Sequence, residues 1–146
     1  MINAIITQNL VYNDFKKVYQ DELTHDLFKY FSKFNLSLTP ILNQNYSEKV
    51  LLQMIKNSKA KILILTGGNN LSKKLDKNNR DILEKKLIKI FLKKKYPILG
   101  ICRGMQVLNV FFKGKISKIE GHVRSNHSLV IDKNYVNLLP SLVNSY

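Results

Sequence analysis

Residues 60–68 read AKILILTGG: four consecutive aliphatic residues, Ile62 to Leu65, closed by a glycine pair. A strand with apolar residues on both of its faces needs cover on both sides. That is the situation of a strand inside a parallel sheet sandwiched between helices. Helix-like segments flank it. SEKVLLQMIKN (47–57) opens on a good N-cap, Ser47, and puts Val50, Leu51, Met54 and Ile55 on one face. RDILEKKLIKIFLKKK (80–95) turns Leu83, Leu87, Ile90 and Phe91 inward, and its lysine-rich end complements the helix dipole. YPILGI (96–101) is a second short buried strand, and RGMQVLNVFFKG (103–114) a helix expected to stop at Gly114.

The same alternation runs through the rest of the chain. NAIIT (3–7) reads as a first strand. DELTHDLFKYFSKF (21–34) reads as a helix with Leu23, Leu27, Tyr30, Phe31 and Phe34 at helical spacing, and LSLTPIL (36–42) as a strand in which Pro40 argues for an edge or a strand end. KISKI (115–119) and HSLVI (127–131) are expected as an antiparallel pair. The order implies an α/β domain with a mostly parallel sheet covered on both faces. In such sheets ligands sit outside the carboxyl ends of the strands, where Gly67–Gly68 and the segment Gly100–Gly104 fall.

The 146 residues are expected to form a single domain, 1–146. One cysteine cannot make an internal disulfide. The N-terminus lacks the basic and apolar regions of a signal peptide, and no segment approaches the ~18 apolar residues of a membrane span. A cytoplasmic protein without a membrane partner is the expectation. The net charge of +14 raises the question of nucleic acid, but only Arg80, Arg103 and Arg124 are arginines. Arginine is the better reader of phosphates and bases, and no nucleic-acid motif occurs, so a solvated lysine-rich surface is the preferred reading. A phosphorylated or nucleotide-linked small molecule is compatible with the charge.

The cysteine lies in GICRG (100–104), of the form G-x-C-x-G. This is the cysteine version of a nucleophile elbow. The strand-to-helix turn is so tight that its flanking residues must be small, and the thiol stands at a helix N-terminus that favours thiolate. The alternative is an inert, buried cysteine with glycines that serve packing. In the elbow reading, the Arg103 backbone N–H faces an oxyanion formed on a carbonyl attacked by Cys102. Gly68 brings a second N–H from the neighbouring turn, TGGNN (66–70).

ILTGGNNLS, RDILEKKLI and PILGICRGMQVLNVFFKGKI resemble the class I glutamine amidotransferase superfamily, and within it the γ-glutamyl hydrolase branch that includes γ-glutamyl-γ-aminobutyrate hydrolases. ITQNL followed by YND, near the start, is similar to the same branch. The resemblance implies a flavodoxin-like three-layer sandwich and attack by Cys102 on a small γ-glutamyl amide, with Gly68 and Arg103 as oxyanion donors. It implies relatives in surface-polysaccharide or γ-glutamyl metabolite pathways, some with nucleotide-linked substrates, and no metal or cofactor. Gly67, Asn69, Arg80, Asp81, Glu84 and Gln106 are the substrate-side candidates. For Arg80, Asp81 and Glu84, loop support, helix capping and ion pairing are equal alternatives. Asn70 stands where the family usually carries Asp.

The family's base and its orienting partner are a His and a Glu in a His-x-Glu motif. His25, His122 and His127 are the histidines here, and none precedes a glutamate at that spacing. The resemblance therefore implies a member incomplete at its C-terminus, ending at LVNSY, impaired alone and open to complementation by a C-terminal fragment. The alternatives are an inactive remnant and a noncatalytic module that binds phosphate or nucleic acid.

Overall fold

In the computed structural model, residues 1–71, 75, 76 and 78–117 are described. Contacts divide the chain into two units, Met1–Ile116 and Ser117–Tyr146, and the account below concerns the first. Its centre is the aliphatic run, which forms β5 (Ile62–Leu65). The strands β1 (Ile2–Thr7), β4 (Leu36–Ile41) and β6 (Ile98–Gly100) join it in a four-stranded sheet of order β4-β1-β5-β6. All pairings are parallel: Ile6 lies opposite Pro40 and Ile64, and Leu65 lies opposite Gly100. Pro40 is on an edge strand, where its missing N–H costs no ladder bond.

Alternate residues of β1 and β5 feed two separate cores. Ile5, Leu63 and Leu65 pack with Leu51 and Ile55 of α2 (Glu48–Ser58), Leu83, Leu87 and Phe91 of α3 (Asn79–Lys93), and Val107 of α4 (Arg103–Phe111). Ala4, Ile6 and Ile64 face the other way, onto Phe31 of α1 (His25–Ser32). The period of two along a strand makes these opposite faces of the sheet. The protein is thus an α/β sandwich with a parallel sheet, consistent with a flavodoxin-like fold, and the apolar run is buried on both faces as its composition requires.

Four local expectations change. Residues 9–22 form an antiparallel hairpin, β2 (Asn9–Asn13) and β3 (Val18–Glu22), so the first helix begins at His25 and not at Asp21. Within that helix only Phe31 is buried, while Tyr30 and Phe34 are exposed, and Val50 is likewise exposed on α2. Helix α4 ends at Phe111, three residues before Gly114. Lys113 takes a left-handed conformation (φ 66°), and the Gly114 N–H donates to Asn109 O at 2.7 Å, closing the helix. Ser47 does cap α2, accepting from the Val50 N–H at 3.4 Å. Of the expected strand 115–119, Lys115 to Ser117 form no strand. Its remainder and the strand 127–131 lie outside the described residues.

Candidate active site

The turn after β6 is a true corner. Cys102 has φ 51° and ψ −109°, outside the regions that L-residues ordinarily occupy. It is exposed. The glycines on either side are required by space. A Cβ on Gly100 would lie 2.7 Å from the Gly104 backbone, and one on Gly104 would lie 2.2 Å from Leu65 O. Helix α4 therefore approaches the carboxyl end of β5 with no side chain between them. Its first-turn N–H groups divide: Gly104 donates to Ile101 O, and Met105 and Gln106 donate to Cys102 O. The Arg103 N–H, next to the thiol, has no acceptor in these contacts among the described residues.

The turn after β5 runs alongside. A Cβ on Gly67 would sit 3.3 Å from Cys102 Cβ, so Gly67 gives the thiol its room. Gly68 takes φ +81°, a left-handed value that suits glycine. Arg80, at the start of α3, holds this turn from below. Its guanidinium donates to Thr66 O (2.9 Å), Gly67 O (2.9 Å), Gly68 O (3.3 Å) and Asn69 Oδ1 (2.9 Å). Asn69 also clips the hairpin: its Oδ1 accepts from Leu10 N at 3.0 Å and its Nδ2 donates to Leu10 O at 2.6 Å. The hairpin and the glycine turn are thus tied to each other at Asn69 and Leu10.

Beneath both turns lies a buried ionic cluster. Glu84 accepts from Arg80 Nε at 3.0 Å, from Thr7 Oγ1 at 3.0 Å and from Arg103 Nη1. Arg103 Nη2 donates to Asp81. All four charged side chains are at most 2% exposed. Burial pushes the Arg80 guanidinium below its ordinary value, and Glu84 opposes the shift. The cluster joins α3 to the N-terminus of α4, and so fixes the corner that carries Cys102 relative to the turn that carries Gly68.

Cys102, Gly67, Gly68, Asn69 and Arg103 are therefore gathered at one sheet edge. Arg80, Asp81 and Glu84 stand underneath with buried, paired side chains, in the geometry of loop support and ion pairing. Asp81 N also receives the cap from Asn78 Oδ1 at 2.8 Å. Gln106 is exposed, one helical turn after Cys102. His25 opens α1, on the sheet face opposite α4, and His122 and His127 lie outside the described residues. Sequence reasoning missed three contributors: Thr7, Asn9 and the side chain of Arg103. Asn9 Oδ1 accepts from Arg80 at 3.2 Å, and Thr7 Oγ1 accepts from Thr66 N at 3.2 Å. The segment ITQNL did contain Thr7 and Asn9, but nothing local says that they face the turn after β5. Among the described residues no cluster of side chains could hold a metal, and no helix is long and apolar enough to cross a membrane.

A model of the peptidase C26 family matches residues 38–137. A γ-glutamyl-CDP-amidate hydrolase from Campylobacter jejuni is 35% identical over 133 residues, covering 88% of this chain and 64% of that protein. A putative glutamine amidotransferase of Schizosaccharomyces pombe is 62% identical over 37 residues, covering 25% of this chain and 15% of its own length. A putative glutamine amidotransferase-like protein of Rickettsia prowazekii is 42% identical over 62 residues, covering 42% and 22% respectively. The chain spans less than two thirds of each of these relatives.

Proposed function

The chain belongs to the peptidase C26 family, of the class I glutamine amidotransferase type, and from that premise we propose that it carries the nucleophile of a γ-glutamyl amide hydrolase. The carrying observation is the exposed Cys102 at φ 51°, wedged between two glycines that cannot be larger. Its Sγ attacks the γ-carbonyl, and the C–S bond forms as the carbonyl oxygen becomes an oxyanion beside the Arg103 and Gly68 N–H groups. The C–N bond then breaks, and the leaving nitrogen takes up a proton. Water cleaves the thioester, releasing a γ-glutamyl carboxylate and the free thiol. The name of the Campylobacter relative supports a leaving half that is nucleotide-linked, in surface-polysaccharide or γ-glutamyl metabolite chemistry. A reduced thiol suits the cytoplasm.

Both steps need a base. None of the three histidines stands in a His-x-Glu pattern. A His–Glu pair from a complementing C-terminal piece would complete the site, and the 146 residues alone turn over slowly. The test uses a γ-glutamyl aryl ester, whose leaving group departs without a proton. Mass spectrometry should find one γ-glutamyl group on the peptide containing Cys102, absent from Cys102→Ser. Label on other residues, with Cys102 unmodified, would overturn the assignment. Amide hydrolysis by the chain alone at an ordinary ~1–10³ s⁻¹ would overturn the need for a partner.

One observation favours polyanion binding as a second reading. Lys49, Lys56, Lys59, Lys61 and Lys94, with the one acidic residue among those described, Glu48, line a groove of about 710 Å³ that runs along α2 to the C-terminal end of α3. None of them takes part in the ion pairs of the described residues. Replacing Lys56, Lys59 and Lys94 by Gln should reduce the salt slope of retention on a phosphate polymer by roughly two units. Replacing Lys16, Lys17 and Lys29 should leave it unchanged. Equal effects of the two triplets would reduce this to general charge.

A further inference from the structure

The groove along α2 joins an apolar floor to a cationic rim. Lys49, Leu52 and Lys56 recur at i, i+3 and i+7, so one face of α2 forms a wall of it. Leu52 is 39% exposed there. Across from it the Tyr96 ring is half-buried, packed edge-to-face on Phe91 with centroids 6.0 Å apart. A second hollow of about 310 Å³ shares Leu52 and Lys94 with the groove and extends it past Ile90 and Lys93 of α3. At about 1.5 Å per residue, the 11 residues of α2 run about 16 Å, which is about three turns of a second helix laid beside it.

Helix ends account for part of the charge. The carbonyl ends of α2 and α3 attract cations, which suits Lys56, Lys59 and Lys94. They do not account for Lys49, in the first turn of α2, where the same dipole disfavours a cation. Nor do they account for Lys61, which precedes β5. All five lysines are exposed. Cations along one trough repel one another, and an occupant that brings carboxylates relieves the repulsion. The floor then selects among anions. A phosphate polymer gains nothing from the apolar surface of Leu52 and Tyr96, and a flat bilayer cannot enter a concave trough. A helix with apolar residues on one face and carboxylates on its flanks satisfies floor and rim together.

We propose that this groove receives an acidic amphipathic helix of a partner protein. Its apolar face lies on Leu52 and Tyr96, and its flanking carboxylates meet the lysines. This rests on the polyanion reading above, taken to a polypeptide occupant.

Fluorescence anisotropy with a labelled peptide of about 14 residues tests it. The peptide carries leucines at i, i+3, i+4 and i+7 and glutamates elsewhere. A scrambled isomer has the same charge and no apolar face. The amphipathic peptide is expected to bind the 146-residue chain at micromolar concentration, about tenfold tighter than the isomer. Leu52→Gln, at an exposed position, should weaken it about tenfold and leave retention on polyphosphate unchanged. Lys49→Gln with Lys61→Gln should weaken both, more at low salt than at high. Equal binding of the two peptides, or unaltered peptide binding by Leu52→Gln, would overturn the helix and leave the polyanion reading standing. No peptide binding at millimolar concentration would overturn the groove as a protein site. Polyphosphate retention indifferent to the lysines, with the peptide bound as stated, would end the phosphate-polymer reading and keep the helix.

Discussion

Glu84→Ala is expected to lower the free energy of unfolding by about 3–5 kcal/mol, the usual cost of removing one partner from a buried ion pair. Glu84 is fully buried and receives Arg80, Arg103 and Thr7. Without it, two buried guanidiniums share Asp81 as the remaining carboxylate of the cluster. Urea unfolding measures the loss, and a variant within about 1 kcal/mol of the parent would show that water or rearrangement replaces the carboxylate. Glu84→Leu combined with Arg103→Met should cost less than the sum of the two single changes, because each single change strands the other's charge. The effect extends to the corner. Glu84 is one of two carboxylates that tie α3 to the first residue of α4, so its loss leaves Asp81 alone to hold the corner of Cys102 in register with Gly68.

Gly104→Ala is a test in which two physical effects predict opposite signs. Helix propensity alone says that alanine in place of a helical glycine stabilises by about 1 kcal/mol. Space says otherwise, since the new Cβ would lie 2.2 Å from Leu65 O and 2.8 Å from Leu65 Cβ. Both are rigid parts of a central strand, and overpacking of a tight core costs about 1–3 kcal/mol or more. A net loss of about 2 kcal/mol or more is expected. Gln106→Ala, at an exposed position of the same helix, is the control and should be near neutral. A stabilised Gly104→Ala would mean that α4 can lift away from β5, and that the corner is looser than its glycines suggest.

Much of this was legible because burial on both faces leaves few alternatives. The run Ile62–Leu65, its two flanking helices and the tight GICRG corner followed from periodicity and from the steric demands of glycine. The hairpin was not legible. Its turn has no Asn-Gly or Asp-Gly pair, and the left-handed position is taken by Lys17 (φ 54°), a residue that carries no turn signal. Its strands are largely exposed, so their pattern of side chains is weak. The residues after it do repeat at helical spacing, and that drew the helix boundary forward over Asp21 and Glu22. Within the site, the backbone role of Arg103 could be argued from its place beside Cys102. Its side chain could not, because its partners Asp81 and Glu84 are brought to it only by the packing of α3 against α4. Long-range pairing of that kind has no local trace.

At position 102, folding and chemistry favour different residues. A backbone at φ 51°, ψ −109° suits glycine, and a chain selected for stability alone would gain by having glycine there. Instead a turn with a backbone that L-residues rarely adopt carries the chain's one cysteine. The glycines and ions around the corner therefore hold the thiol outward at a backbone setting that the residue itself does not favour.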